Sequence, residues 1–453
     1  MTQIPISDRR EIFGWAMYDW ANSGFQTTVI TVLSGPYLTA LARRDVGDNG
    51  TIFGFGPLLV TEKSFFPFCI GLSVFLQIFM LPLLGAIADY THLKKRLMAL
   101  FCYVGSAATC LLFLVVDRRY LIGGGLLVLA NLCFGGSIVL YNAFLNDIAG
   151  REQRDAVSSR GYALGYLGGG VLLLANLALV QNAARLGIDS GMAVRLSLGS
   201  AGLWWGGFSV ITFTRLRTRR AGASPGLRSA LASVSTQLKQ SFAALGRLPQ
   251  TRRYLLAYML FNDGIQTVIS MASLFLSQEL FVARGLPEDQ SFLIGLILMI
   301  QFVAFFGAHA FARIAALIGA KRAILVSLAI WTVTIVYAYG ALQTTAQAWV
   351  MGAVIATVLG GSQALSRSLF SQMIPAGREA AFFGLYEISE RGTSWIGPLL
   401  FGVVAAATNS YREAILSLIV LFLAGTAWLW WTDTDRAIAD AAGVEIEHPF
   451  QLR

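Results

Sequence analysis

Charge is what this sequence has least of. Of its 453 residues, 13% are Asp, Glu, Lys or Arg, about half the share of a soluble globular chain. Without that polar supply a fold of this size cannot cover its own surface in water. Cysteine is also scarce. Cys69, Cys102, Cys110 and Cys133 all sit inside apolar runs, with no CxxC and no Cys/His ligand spacing, which excludes a disulfide framework and a zinc site. There are three histidines. His92 and His309 stand alone and His448 lies in a polar tail, so no metal centre is expected. No GxxxxGK[ST] run cradles a phosphate, and no Ser/His/Asp or paired-carboxylate set suggests hydrolysis. Nothing calls for a cofactor, and an enzyme is not expected.

Apolar residues are abundant instead. They make up 56% of the chain, and the mean hydropathy is +0.63. A membrane-crossing helix takes roughly 20 residues, so twelve would use about 240 of them. The composition therefore specifies an all-α integral membrane protein and excludes soluble, disordered and fibrous chains. Twelve apolar runs can be placed. They cover 12–41, 65–88, 97–116, 121–148, 161–181 and 193–213, then 254–281, 292–312, 323–342, 348–373, 382–407 and 414–431. The polar start, Met1 to Glu11, carries no cleavable signal.

An even number of crossings puts both ends on one side. Of the 34 Lys and Arg, 24 fall on that side, nine on the other, and Arg391 lies within a run. Positive residues concentrate in the cytoplasm, so both termini are expected there. Spread over the loops of one face, the net charge of +9 does not indicate nucleic acid. The loop from Arg215 to Arg253 separates six runs from six. In it Leu227, Leu231, Val234, Leu238, Phe242 and Leu245 recur in steps of three and four, which predicts an amphipathic helix on the inner leaflet, the alternative being a plain tether. The expected organisation is a first half over 1–214, a loop over 215–252, a second half over 253–432 and a tail over 433–453. Trp428, Trp430 and Trp431 read as interfacial anchors.

The halves repeat. Tyr18-Asp19-Trp20-Ala21-Asn22-Ser23-Gly24-Phe25-Gln26-Thr27 matches Tyr258-Met259-Leu260-Phe261-Asn262-Asp263-Gly264-Ile265-Gln266-Thr267 at five of ten places, at an offset of 240. Gly135-Gly136-Ser137 recurs as Gly360-Gly361-Ser362 at 225. The longer loop after the first run accounts for the change. Two pseudo-symmetric six-helix halves enclosing a path are the expected fold.

The segment Gly85-Ala86-Ile87-Ala88-Asp89, followed by Lys94-Lys95-Arg96, resembles the signature of the major facilitator superfamily. More specific stretches resemble its vacuole-effluxer branch. They are Trp15 to Phe25, Ser159 to Gly170, Gln363 to Phe370, Phe382 to Tyr386 and Gly397-Pro398. The resemblance spans about residues 11 to 432 and is to the compact bacterial members. It implies a secondary active transporter of the cell (inner) membrane, working as a monomer by alternating access. The implied cargo is small and polar, amino acids in the fungal members. A drug or metabolite exporter is the alternative, and a non-transporting sensor or scaffold is the alternative from another class. The implied partners are a small-molecule substrate, membrane lipid and, in one alternative, protons, the energy source being a proton or a substrate gradient. Asp89, with the basic trio, is expected to gate by holding the halves together through a basic partner or a helix N-terminus. Ala316 stands where the second half would need the equivalent Asp.

Polar groups inside hydrocarbon are costly and usually face a cavity or a partner. Asp19, Asn22 and Gln26 share one helical face, as do Asn262 and Gln266. Asn22, Gln26, Asn142, Asn262, Gln266 and Arg367 are the candidate substrate ligands. The alternatives are amides that only bridge helices, and a salt-bridged or snorkelling Arg367. Asp19, Asp263 and Glu387 are the candidate proton carriers, the alternative being fixed ion pairs; Glu387 and Arg391, four apart, are a natural neutral pair. Gly161, Gly165 and Gly169 form a small-residue stripe for close helix packing.

Overall fold

A computed structural model describes residues 7–48, 50–55, 58–91, 93–218, 236, 239–287, 289–391 and 395–443. It is helical almost throughout. The first crossing is built from α1 (Arg9–Gly24), a π-helical stretch (Phe25–Leu33) and α2 (Ser34–Val46). A hairpin, β1 (Thr51–Phe55) and β2 (Leu58–Thr61), leads to α3 (Phe65–Tyr90). Then come α4 (Lys94–Leu111), α5 (Tyr120–Ala143) with the short α6 (Leu145–Ile148), α7 (Arg154–Gln181) and α8 (Ser190–Arg215). Part of the central loop is helical, α9 (239–246). The second half is α10 (Pro249–Leu280), α11 (Gln290–Ile318), α12 (Ala320–Gly340) and α13 (Thr345–Gln372). It ends with α14 (Glu379–Arg391), α15 (Ile396–Thr408), α16 (Tyr411–Ser417) and α17 (Ile419–Trp431), followed by α18 (Thr434–Gly443).

Among the described residues, nine helices are long and apolar enough to cross a membrane. The remaining three crossings expected from the sequence are also helical. The first, 9–46, is interrupted by the π turn, the sixth is α8, and the eleventh is split between α14 and α15. The count is consistent with twelve. The eleventh crossing is seen as α14 and α15, with residues 392–394 between them outside the described residues. One expectation changes in detail: the loop after the first crossing carries a hairpin. The predicted amphipathic helix falls partly outside the described residues, at Leu227, Leu231, Val234 and Leu238. Phe242 and Leu245 lie on α9, with Phe242 exposed.

Local chemistry marks the helix starts. Asp8, Asp189 and Asp289 accept from backbone N–H groups of α1, α8 and α11 at 2.8–2.9 Å, satisfying donors that have no helical partner. Thr344 and Gln347 make a reciprocal capping box at α13. Between α11 and α12 the chain reverses at Gly319, whose φ of 87° favours glycine.

The glycine stripe does what its spacing predicts. A Cβ at Gly161 would lie 2.6 Å from Asp19 Oδ2, one at Gly165 would lie 2.8 Å from Ser23 Oγ, and one at Gly169 would lie 3.0 Å from Thr27. These absences let α7 press onto α1. Between the halves, α3 packs on α14, and α7 packs on α11 and α13. Gly384 of α14 meets the Leu81 carbonyl so closely that a Cβ there would be 2.9 Å away.

Candidate functional site

Inside the terminal face, one to three turns from the helix ends, four crossings meet around one guanidinium. Arg367 of α13 is buried at 2% exposure. Its Nε donates to Ser158 Oγ at 2.9 Å, and Nη2 donates to the Ser158 carbonyl at 2.9 Å and to Asp19 Oδ2 at 3.4 Å. Nη1 donates to Asp19 Oδ2 at 3.4 Å and to Asn142 Oδ1 at 3.2 Å. A guanidinium has five N–H donors, and this one makes five hydrogen bonds to four acceptor atoms. Its carbon also lies 4.3 Å from the ring centre of Tyr162, 4.9 Å from Trp15 and 5.4 Å from Tyr141, within cation–π range. The charge is therefore neutralised and wrapped by the opposite half.

The network extends in both directions. Tyr141 donates to Asp19 Oδ2 at 2.8 Å, and its ring stacks on Trp15 with centroids 4.3 Å apart. Asn142, which accepts from Arg367, donates through Nδ2 to Glu387 Oε1 at 2.9 Å. So Asp19, Arg367, Asn142 and Glu387 form one chain through crossings one, ten, four and eleven. The structure brings together four of the residues singled out by sequence. It pairs Asp19 with Arg367 by an ion pair across the halves. In this arrangement no guanidinium donor is left over for a substrate carboxylate. Glu387 is bonded to Asn142; the side chain of Arg391 lies outside the described residues.

The amides are divided. Asn22 and Asn262 are buried, and Asn262 is fully enclosed with neither its Oδ1 nor its Nδ2 hydrogen-bonded. A buried amide left without partners costs about 1–3 kcal/mol, so this position calls for a ligand or water. Gln266 is half-buried and Gln26 is exposed. Asp263 does not join the central chain. Its Oδ2 accepts from the Gly397 N–H at 2.8 Å, in the first turn of α15, where N–H groups have no intrahelical partner.

At the end of the bundle that carries both termini, Asp89 of α3 grips the second half. Its two oxygens accept from the Ala380 and Ala381 N–H groups at 2.9 and 2.8 Å. A carboxylate at the first turn of α14 is favoured by the open donors and the helix dipole. Two of the basic trio bond within their own half. Lys94 pairs with Asp147 at 3.0 Å and Lys95 donates to the Leu216 carbonyl at 2.6 Å. The latch thus takes the helix N-terminus and not a basic partner.

Sequence reasoning did not single out Tyr141, Ser158, Tyr162 or Trp15. Aromatic and hydroxyl residues are common in spans, and only the fold shows which ones face Arg367. One signal was available. The offset of 225 that aligns the glycine pairs also aligns Asn142 with Arg367.

Comparisons with known proteins bear on the family and the fold. The family model described as vacuole effluxer Atg22-like matches residues 7–442. An uncharacterised MFS-type transporter of Bacillus subtilis, YxiO, is 29% identical over 416 residues, covering 91% of this chain and 92% of that one. Autophagy-related protein 22-1 of Aspergillus niger is 26% identical, covering 86% and 76%. Among solved structures, the major facilitator transporter FucP in its outward conformation superposes with a TM-score of 0.69 at 10% identity, over 94% of this chain and 98% of that one. A bacterial homologue of ferroportin in an outward-facing state gives 0.63 at 14% identity, over 93% and 98%. The fold is therefore the major facilitator fold of two pseudo-symmetric six-helix halves, and the chain belongs to the vacuole effluxer Atg22-like family of multi-pass membrane transporters.

Proposed function

We propose that the protein moves a small polar solute, an amino acid being the first choice, by alternating access between its two halves. The observation that carries this reading is the Asp19–Arg367–Asn142–Glu387 chain. It is a buried polar network inside the terminal face of the bundle, contributed by both halves, where a charge is tolerated only if paired or facing a cavity. The effluxer relatives support transport across a membrane. The halves divide near residues 214 and 253, and the face that carries the termini is cytoplasmic, in the cell membrane.

The state described here is closed at the terminal face by Asp89 and by the contacts of α7 with α13. Gln26 and Gln266 are accessible from the opposite side while Asn22 and Asn262 are enclosed beside them, and the four stand at equivalent places in the two repeats as the proposed ligands. Asn142 and Arg367 stand at its floor. Arg367 meets a substrate carboxylate only after Asp19 releases it. Protonation of Asp19 supplies that release, because it removes the charge that holds the guanidinium. Asp263, capping α15, and Glu387, bonded to Asn142, are the further carboxylates able to take up a proton.

The experiment is transport in reconstituted vesicles, screened with labelled amino acids with and without a pH gradient. The expected result is uptake of at least one amino acid that is accelerated by the gradient and lost in Arg367→Ala. No movement of any amino acid, with folded protein in the vesicles, overturns the cargo assignment.

A further inference from the structure

The terminal face has one visible latch, Asp89 on the first turn of α14. By the repeat, α11 is the counterpart of α3, and α7 that of α14. A symmetric second latch would place a carboxylate at the end of α11, over the first turn of α7. Ala316 stands there instead, and the start of α7 has no side-chain cap. The first turn of α7 nevertheless meets the second half through its own side chains. Arg154 Nη1 donates to the Ser371 carbonyl at 3.0 Å. Ser368 Oγ donates to Asp155 Oδ1. One turn deeper, Ser158 Oγ donates to the Ala364 carbonyl at 2.7 Å. Deeper again, Tyr166 OH donates to Gln363 Oε1 at 2.6 Å. These ties follow one face of α7 and one face of α13, from the terminal face towards the centre.

We propose that Asp155 and Ser368 are the second inter-half latch, built from α7 itself in place of the missing carboxylate on α11. The inference rests on the alternating-access reading. Asp155 is half-buried, and among the described residues no Lys or Arg pairs with it. Arg154, its neighbour, is turned to Ser371. A carboxylate in such a place is held by the hydroxyl that donates to it, so the bond to Ser368 is the tie nearest the terminal face that involves a carboxylate, beside those of Arg154, Ser158 and Tyr166. Opening the terminal face breaks that bond and returns Asp155 to water. Asp155 and Ser368 are positioning residues. They set how long this face stays shut, and they touch no substrate.

The test uses the full chain in lipid nanodiscs, with the four cysteines replaced by alanine and one reporter cysteine added. Ser366→Cys reports on the closed face, since Ser366 is fully buried. Gln26→Cys reports on the opposite side. The probe is a membrane-impermeant maleimide, and no substrate is needed. Asp155→Ala and Ser368→Ala are expected to raise the labelling rate at position 366 by about tenfold and to lower it at position 26. Ser368→Thr, which keeps the hydroxyl, is expected to restore both rates. Unchanged rates at both positions overturn the latch, as does a rise at both together, which marks general loosening. If Asp155→Ala fails to fold, Ser368→Ala carries the test alone. Asp89→Ala is the parallel variant. If it too leaves both rates unchanged, the alternating-access reading falls with the latch, whereas a reciprocal change in Asp89→Ala alone removes only the latch.

Discussion

Asn142 accepts a hydrogen bond from Arg367, and the two occupy the same place in the two copies of the repeat. They are 225 residues apart, the offset that superposes Gly135-Gly136-Ser137 on Gly360-Gly361-Ser362. One turn further on, Asn146 Nδ2 donates to the Ser371 carbonyl at 3.0 Å, again at a separation of 225. In an interface with two-fold symmetry, only residues beside the axis touch their own equivalents. The fourth and tenth crossings therefore meet at the pseudo-two-fold axis. Duplication then permitted divergence at the axis. One copy holds an amide and the other a guanidinium, and the pair became complementary.

Removing one side of the central ion pair leaves a buried charge. Asp19→Ala is expected to destabilise the protein by about 3–5 kcal/mol, because Arg367 keeps its charge and loses its counter-ion. The double variant Asp19→Ala with Arg367→Gln is expected to lose less than the sum of the two single changes. Thermal unfolding of the four proteins in one detergent measures this, and strict additivity would refute the pairing.

The amide pair separates binding from folding. Gln26→Ala and Gln266→Ala are each expected to abolish substrate movement in vesicles while yield and unfolding temperature stay within the error of the parent. Exposed or half-exposed positions tolerate such truncation at about 0.5 kcal/mol. Unchanged transport in both variants ends their assignment as ligands.

Gly161 faces Asp19, Arg367 and Trp15 within 2.6–3.0 Å of where a Cβ would sit. Gly161→Leu is expected to push α7 off α1 and to destabilise the protein by about 1–3 kcal/mol. Gly207 has open space at the same test and is the matched control. Equal expression and melting of Gly161→Leu and Gly207→Leu would contradict the packing.

Asp89→Ala removes two hydrogen bonds that join the halves. Spin labels at Arg96 and Arg322, one per half on the terminal face, are expected to show a second, longer distance in this variant. A single unchanged distance distribution would mean that Asp89 does not hold the face shut.

Much of this protein is determined locally. Twelve apolar runs, the charge bias between faces and the glycine stripe follow from the free energy of placing each residue in lipid or against a neighbouring helix. Such terms depend on residue type and spacing alone. The internal repeat was likewise present in the letters from Tyr18 to Thr27 and from Tyr258 to Thr267. The tertiary structure decided which polar groups spend their hydrogen bonds on one another. Asp19 and Arg367 are 348 residues apart, and no periodicity relates them. Asp263 lies in the sequence beside Asn262 and yet turns to Gly397, because neighbours on a helix point about 100° apart. The latch at Asp155 was hidden for the same reason. A carboxylate and a serine hydroxyl acquire a function only when two helices from different halves bring them within bonding distance in a medium that offers no other partner.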